Sequence, residues 1–197
     1  MIRSQRSLAI ALSTLIFLQH PSAAQEQYPT PPDLAAALLW HAHLRGDLFE
    51  KSVADLGCGN GILGYGAHLL GASDVFFVDS DATVLTLARQ NFFSGHFLCA
   101  DVSTFSSPVH TVVMNPPFGV QSRHADRIFF SVAFHCAQVI YVIHKITSRS
   151  FISRLACDAG FCVELVDPQT LVLPALQKFH TQRKYPVAVG FFILRKL

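Results

Sequence analysis

From about residue 50 onward, short apolar runs of strand length alternate with longer mixed stretches, and that rhythm predicts the elements. Runs at about 51–56, 74–79, 96–100, 110–115 and 138–143 read as strands. Helices are expected between them at about 61–71, 82–92, 124–136 and 147–158, with another at 34–44 ahead of the first strand. Repetition of strand, helix and strand is the mark of βαβ units and a parallel sheet. Two further strands, at about 161–166 and 187–196, follow the last helix and are joined by 167–186. A helix does not fit easily between them, so they are expected to pair antiparallel. The expectation is an α/β fold with a seven-stranded, mostly parallel sheet, a C-terminal antiparallel strand pair and helices on both faces. No repeat, low-complexity tract or linker interrupts it.

The N-terminus stands apart from this rhythm. Arg3 and Arg6 precede an apolar run at 8–18, and Ser22-Ala23-Ala24 follows, which is the shape of a secretory signal peptide. The run is too short to span a bilayer. Composition supports one domain: a chain of 197 residues, 51% hydrophobic and only 14% charged, can bury a sizeable core and is not disordered. The net charge of +2 provides no strong field for nucleic acid, so any phosphate-binding surface must be local. Lys178, His180, Arg183 and Lys184, helped by Lys145, Arg149 and Arg154, form the best candidate, the alternative being ordinary solvated surface. The five cysteines are odd in number and form no C-x-x-C pair, which disfavours a disulfide framework or a zinc site. His41 and His43, the closest histidine pair, project about 200° apart on a helix, and no metal site is expected. Hydrolase motifs such as G-x-S-x-G and H-E-x-x-H are absent.

Two motifs carry chemistry. Val53-Ala54-Asp55-Leu56-Gly57-Cys58-Gly59-Asn60-Gly61 reads as a buried strand entering a glycine turn and then a helix. Its spacing differs from the dinucleotide fingerprint, in which a helix N-terminus meets a pyrophosphate. Asp55 ahead of the glycines favours a cation, so S-adenosylmethionine, with its sulfonium and ammonium and no phosphate, suits the turn better than a dinucleotide. Asp79, ending the next apolar strand, can accept both hydroxyls of a ribose. The second motif is Asn115-Pro116-Pro117-Phe118, which closes the strand at 110–115. Planar amines are poor nucleophiles and must be held by acceptors, and the Asn115 side-chain oxygen and the Pro116 carbonyl supply two. The paired prolines fix φ and bias Asn115 away from helix. Phe118 can stack on a base, a contact of about 1–3 kcal/mol that positions without reading sequence.

At these residues the chain resembles the class I S-adenosylmethionine-dependent methyltransferases, with their Rossmann-like fold, and among them the N6-adenine subgroup. Glu26-Gln27-Tyr28-Pro29-Thr30, Met114-Asn115-Pro116-Pro117-Phe118-Gly119, His144-Lys145, and Leu173-Pro174-Ala175 with Lys178-Phe179-His180 are similar to the rRNA adenine methyltransferases of the methyltransferase-like protein 5 type, over about residues 18–197. The resemblance implies Gln27, Thr30, Gly57, Asn60, Ile62, Asp79, Asp101 and Val102 around the cofactor, in addition to Asp55 and Gly59 of the turn, and Asn115 to Phe118 at the target base. It implies formation of N6-methyladenosine in RNA, most of all at an adenosine of small-subunit rRNA. The segment after Gly119 is shorter and less basic than in that family, and Asn60 stands where another small residue is common. The similar proteins carry a short N-terminal helix, so 1–24 is read as a docking helix, with a cleaved targeting segment as the alternative, and 25–197 as the methyltransferase domain. A cytoplasmic or nuclear location follows, with no membrane.

A partner is also expected. The strand at 96–100 lies at the sheet edge in that fold, and an apolar, proline-free edge invites pairing by strand addition unless something covers it. The resembling eukaryotic enzymes use a small zinc-binding activator subunit in this way, which implies a heterodimer; the alternative is shielding by the helix at 34–44. Rival functions are a protein-glutamine methyltransferase, whose substrate presents the same planar amine, a DNA adenine methyltransferase, and a non-catalytic RNA-binding scaffold with the same fold.

Overall fold

A computed structural model describes residues 2–18, 29–92, 94–118, 125–174 and 184–197, with backbone alone at 165–167, 172–174 and 184–186. The elements run α1 (Gln5–Leu12), α2 (Pro32–Leu44), β1 (Ser52–Leu56), α3 (Ile62–Leu69), β2 (Asp74–Asp79), α4 (Ala82–Asn91), β3 (His96–Cys99), β4 (Thr111–Met114), α5 (Ala125–Cys136), β5 (Val139–Lys145), α6 (Arg149–Asp158), β6 (Phe161–Pro174) and β7 (Lys184–Lys196). Seven strands form one sheet in the order β3-β2-β1-β4-β5-β7-β6. The first five run parallel to one another, while β7 is antiparallel to both β5 and β6.

Successive side chains of a strand point to opposite faces, so each central strand feeds two cores. Val53, Phe77, Val113, Tyr141 and Phe191 are buried on the face covered by α1, α2, α3 and α4. Ala54, Leu56, Val112, Ile140, Phe192 and Leu194 are buried on the other face with Phe130 and Val132 of α5 and Ile152 and Ala156 of α6. Burial on both faces explains why β4 and β5 are nearly continuous apolar runs. The N-terminal apolar run joins the first core: Leu8 and Leu12 of α1 are fully buried, and α1 packs on α2 and α3. The helix ends sooner than the run suggests, because the side chains of Ser13 and Thr14 donate back to the Ile10 and Ala11 carbonyls.

The C-terminal pair departs from expectation in length. Strands expected at 161–166 and 187–196 extend to Pro174 and back to Lys184. Three prolines look like breakers there, and each has room. Pro168 sits at a register shift in the edge strand β6, and Pro186 lies in β7 beyond Val189, which pairs with Lys145, the last residue of β5. Pro186 therefore faces only β6, and its missing N–H costs no bond on the other side. Pro174 ends β6.

At the N-terminal ends of the strands, Asp47 is buried and closes the loop before β1. It accepts from the Tyr141 hydroxyl at 2.5 Å and from Arg195 at 2.8 and 3.3 Å, while Thr111 donates to its carbonyl at 2.5 Å. Among the described residues, no helix is long and apolar enough to cross a membrane.

Candidate active site

Parallel strands deliver their carboxyl ends to one edge of the sheet, where α/β folds bind ligands. Asp55 is the penultimate residue of β1, Asp79 the last of β2, and Asn115 follows β4 directly. Gly57 and Cys58 both donate their N–H to the Val78 carbonyl, at 2.8 and 3.0 Å, which folds the glycine turn across the end of β2. Gly59 and Gly61 take positive φ, +54° and +81°. A Cβ at Gly61 would strike Phe77 and Ala88, whereas a Cβ at Gly59 would meet nothing within 4 Å. Gly61, at positive φ, is thus packed closely against β2 and α4, and Gly59 bares backbone toward open space.

The two carboxylates do different work. Asp55 is fully buried and accepts the Gly64 N–H at 2.8 Å, tying β1 to the first turn of α3. Burial raises its pKa from 3.8 to about 7, with the Gly64 bond opposing and the charge of Asp79 adding to the rise. Asp79 accepts from Gly59 N–H at 2.9 Å with one oxygen and from Asp81 N–H at 3.0 Å with the other. Burial raises its pKa also, against those backbone bonds. Two carboxyls disfavoured as anions gain from a cationic ligand, and each oxygen of Asp79 keeps a lone pair for a hydroxyl. The paired buried carboxyls fit a sulfonium cofactor with a ribose. Cys58 between them is pushed well up by burial and stays a neutral thiol.

Ile62 is buried at the start of α3, and Val102 is buried in the second core just after β3. Asp101 is exposed at that corner, where its carboxylate accepts the Ser103 N–H at 2.8 Å and is held below its ordinary pKa first by the Ser103 side chain and then by that backbone bond. Asn60 is buried, and its Nδ2 donates to the Ile16 carbonyl at 3.0 Å. Asn91 of α4 completes this grip, accepting from Ile16 N–H at 2.8 Å and donating to the Ile16 and Asn60 carbonyls at 3.0 Å each. The segment after α1 is therefore pinned to the glycine turn.

The Asn115 amide is half fixed. Its Nδ2 donates to the Thr30 hydroxyl at 2.9 Å, while its Oδ1 is buried with no partner among the described residues. A buried, unpaired acceptor is costly, and here it lies at the sheet edge where the other motif residues converge. Pro116 is buried and Pro117 half-buried. Phe118 is 8% exposed, with the Lys145 ammonium 5.6 Å from its ring centroid and the His144 ring at 5.3 Å, tilted 56°. His144 is itself buried, its Nε2 3.3 Å from Asp126 Oδ2. The structure thus brings Lys145 to the tetrad. Gln27, Lys178, His180 and Arg183 lie outside the described residues, and Lys184 starts β7 with its side chain undescribed. The Asp126–His144 pair and the grip of Asn91 were not foreseen; their partners lie on separate elements, and no spacing rule marks them.

The methyltransferase small domain family model matches residues 30–139, from Thr30 through the tetrad to the start of β5. The chain is 31% identical to the rRNA N(6)-adenosine-methyltransferase METTL5 of Danio rerio, over 94% of this chain and 96% of that protein. It is 33% identical to the Drosophila melanogaster rRNA N(6)-adenosine-methyltransferase Mettl5, over 88% of each. Protein PH1948 of Pyrococcus horikoshii, a proposed RNA methyltransferase, superimposes with a TM-score of 0.93 at 38% identity over the whole of both chains. The magnesium protoporphyrin IX methyltransferase of Synechocystis, solved with bound S-adenosylmethionine, shares the fold at a TM-score of 0.60 and 16% identity, covering 82% of this chain and 77% of that one. The chain belongs to the methyltransferase small domain family, and within it to the group of the METTL5-type proteins.

Proposed function

We propose that this protein transfers a methyl group from S-adenosylmethionine to N6 of an adenosine in RNA, most specifically in small-subunit rRNA. The observation that carries the reading is the buried, unpartnered Oδ1 of Asn115, an acceptor held ready for an N–H beside two carboxyls that favour a cation. The named activity of the Danio and Drosophila relatives supports it. The cofactor, held by the glycine turn, Asp79 and the corner at Asp101 and Val102, would supply an electrophilic methyl group on sulfur. Asn115 Oδ1 and the Pro116 carbonyl would accept the two amine hydrogens and turn the nitrogen lone pair to the methyl group. These contacts strengthen as the amine gains positive character, so they bind the transition state better than the ground state. Orientation supplies most of the rest. No strong base is required, because the methylated amine is acidic and releases its proton afterward. Phe118 would stack on the base, which leaves its own stack most easily in a loop or single strand.

Contacts to RNA would come from Lys145 beside Phe118 and from the basic residues Lys178, His180, Arg183 and Lys184. In support, β6 and β7 run past Lys145 by the five residues 184–188 of β7, about 16 Å at strand rise. That overhang leaves the sheet at the same end as Asn115. For a partner, β3 is an edge strand, and the main contacts of α2 are with α1, α3 and β5. Strand addition there by a small zinc-binding activator subunit completes the reading. Cytoplasm or nucleus is the location it proposes, supported by the burial of Leu8 and Leu12, apolar residues that a cleaved leader would carry away.

Labelled S-adenosylmethionine offered with small-subunit rRNA, duplex DNA and a glutamine-bearing release factor, with and without an activator subunit, tests all of this. N6-methyladenosine in RNA alone is expected. Label in protein, or none despite cofactor binding, would overturn the substrate assignment.

A further inference from the structure

We infer that Thr30 is a positioning residue for the reaction: its hydroxyl holds the Asn115 amide in the orientation that leaves Oδ1 for the substrate amine. The inference rests on the reading of Asn115 as the amine acceptor and changes the part expected of Thr30, from a cofactor contact to a support of the acceptor.

An asparagine amide turns easily about its last bond, whose energy wells are broad and nearly two-fold. Turned the other way, Asn115 would present its NH₂ to an incoming NH₂, donor against donor. The Thr30 hydroxyl, which can donate or accept, here accepts the Nδ2–H at 2.9 Å and anchors the amide with Oδ1 left unpaired among the described residues. Both ends of that bond are unusually fixed. Thr30 is buried and is followed by Pro31-Pro32, and Asn115 is followed by Pro116-Pro117. A residue ahead of proline is held in extended backbone. Pro31 and Pro32 in turn start α2, with the Pro31 carbonyl accepting the Ala35 N–H at 2.9 Å, so Thr30 is tied to the start of that helix. Two proline pairs, 85 residues apart, thus clamp one hydrogen bond against an otherwise free side-chain torsion.

The test uses the full-length protein and the variants Thr30→Val, which keeps the shape and removes the hydroxyl, and Thr30→Ser, which keeps it. Misplacing a reacting contact by about 1 Å can cost 10²-fold, so Thr30→Val is expected to lower kcat on RNA by about tenfold or more. Its dissociation constant for S-adenosylmethionine should stay within about threefold, because uniform binding is not what was removed. Thr30→Ser should recover most of the rate. A Val variant with unchanged kcat, or one whose loss appears as weaker cofactor binding, overturns the inference. A second readout needs no substrate: NMR exchange of the Asn115 side-chain amide hydrogens should be slow in the wild type and fast in Thr30→Val. Equal exchange in both overturns the inference, whereas a wild-type protein that fails to methylate RNA overturns only the substrate reading.

Discussion

Replacing Asp55 by Asn probes the electrostatics of the glycine turn with almost no change of shape. The Asp55 carboxyl is raised by burial from 3.8 to about 7. A carboxyl raised this far keeps its proton in the folded chain after the unfolded chain has lost it. Between about pH 4 and pH 7 the folded state therefore holds more protons, and stability falls as pH rises through that window, then levels off. At about 1.4 kcal/mol per unit, a rise of about three units amounts to ~4 kcal/mol, of which ~3 kcal/mol falls between about pH 5 and pH 7. For a domain of this size, with about 2–4 °C of melting temperature per kcal/mol, the ~3 kcal/mol is a drop of roughly 6–12 °C.

Thermal unfolding without cofactor, from about pH 5 to pH 8, is the assay. Asn keeps an oxygen for the Gly64 N–H and does not titrate, so Asp55→Asn should flatten most of the wild-type slope. A residual slope is expected from Asp79, whose pKa is raised by burial as well. Added S-adenosylmethionine, being cationic, favours both carboxylates, so its stabilisation of the wild type should grow over the same window and grow less in the variant. An Asp55→Asn protein with the full wild-type slope would refute the argument, because the titrating group would then lie elsewhere.

Other changes separate binding, chemistry and stability. Asn115→Ala removes the amine acceptor and should lower kcat on RNA by on the order of 10²-fold, with cofactor affinity by calorimetry unchanged; loss of cofactor binding would show the residue to be misplaced. Asp79→Ala removes a charged acceptor of two hydroxyls, a loss of about 1.5–3 kcal/mol or roughly ten- to a hundredfold in cofactor affinity, and an unchanged dissociation constant would undo the ribose assignment. Asp47→Ala leaves the Tyr141 hydroxyl without its acceptor far from the site. Because Arg195 is half exposed, the expected loss is ~2–3 kcal/mol in urea unfolding with kcat retained. An unchanged midpoint would mean that water replaces the carboxylate.

What the order of residues made legible follows from what each signal encodes. Apolar runs bounded by turn residues report a strand that is buried on both faces, so β1, β2, β4 and β5 were readable within a residue or two. Proline is ambiguous in that code. Strands expected to stop at 166 and start at 187 run through Pro168 and Pro186, because the signal cannot tell a central strand from one whose neighbour has already stopped, and only the sheet order β5-β7-β6 makes the difference. Polar residues are harder still, since a side-chain amide in a loop carries no address. Asn60 sits within the cofactor motif, yet its amide is spent on Ile16, a residue that nothing in the motif mentions. Thr30 and Asn115 were each visible, one in the stretch before α2 and the other at the end of β4, but as separate motifs with separate duties. Their hydrogen bond makes them one device. Thr30, just ahead of α2, thereby bonds the tetrad, as Ile16, after α1, bonds the glycine turn and α4, so N-terminal residues reach both motifs.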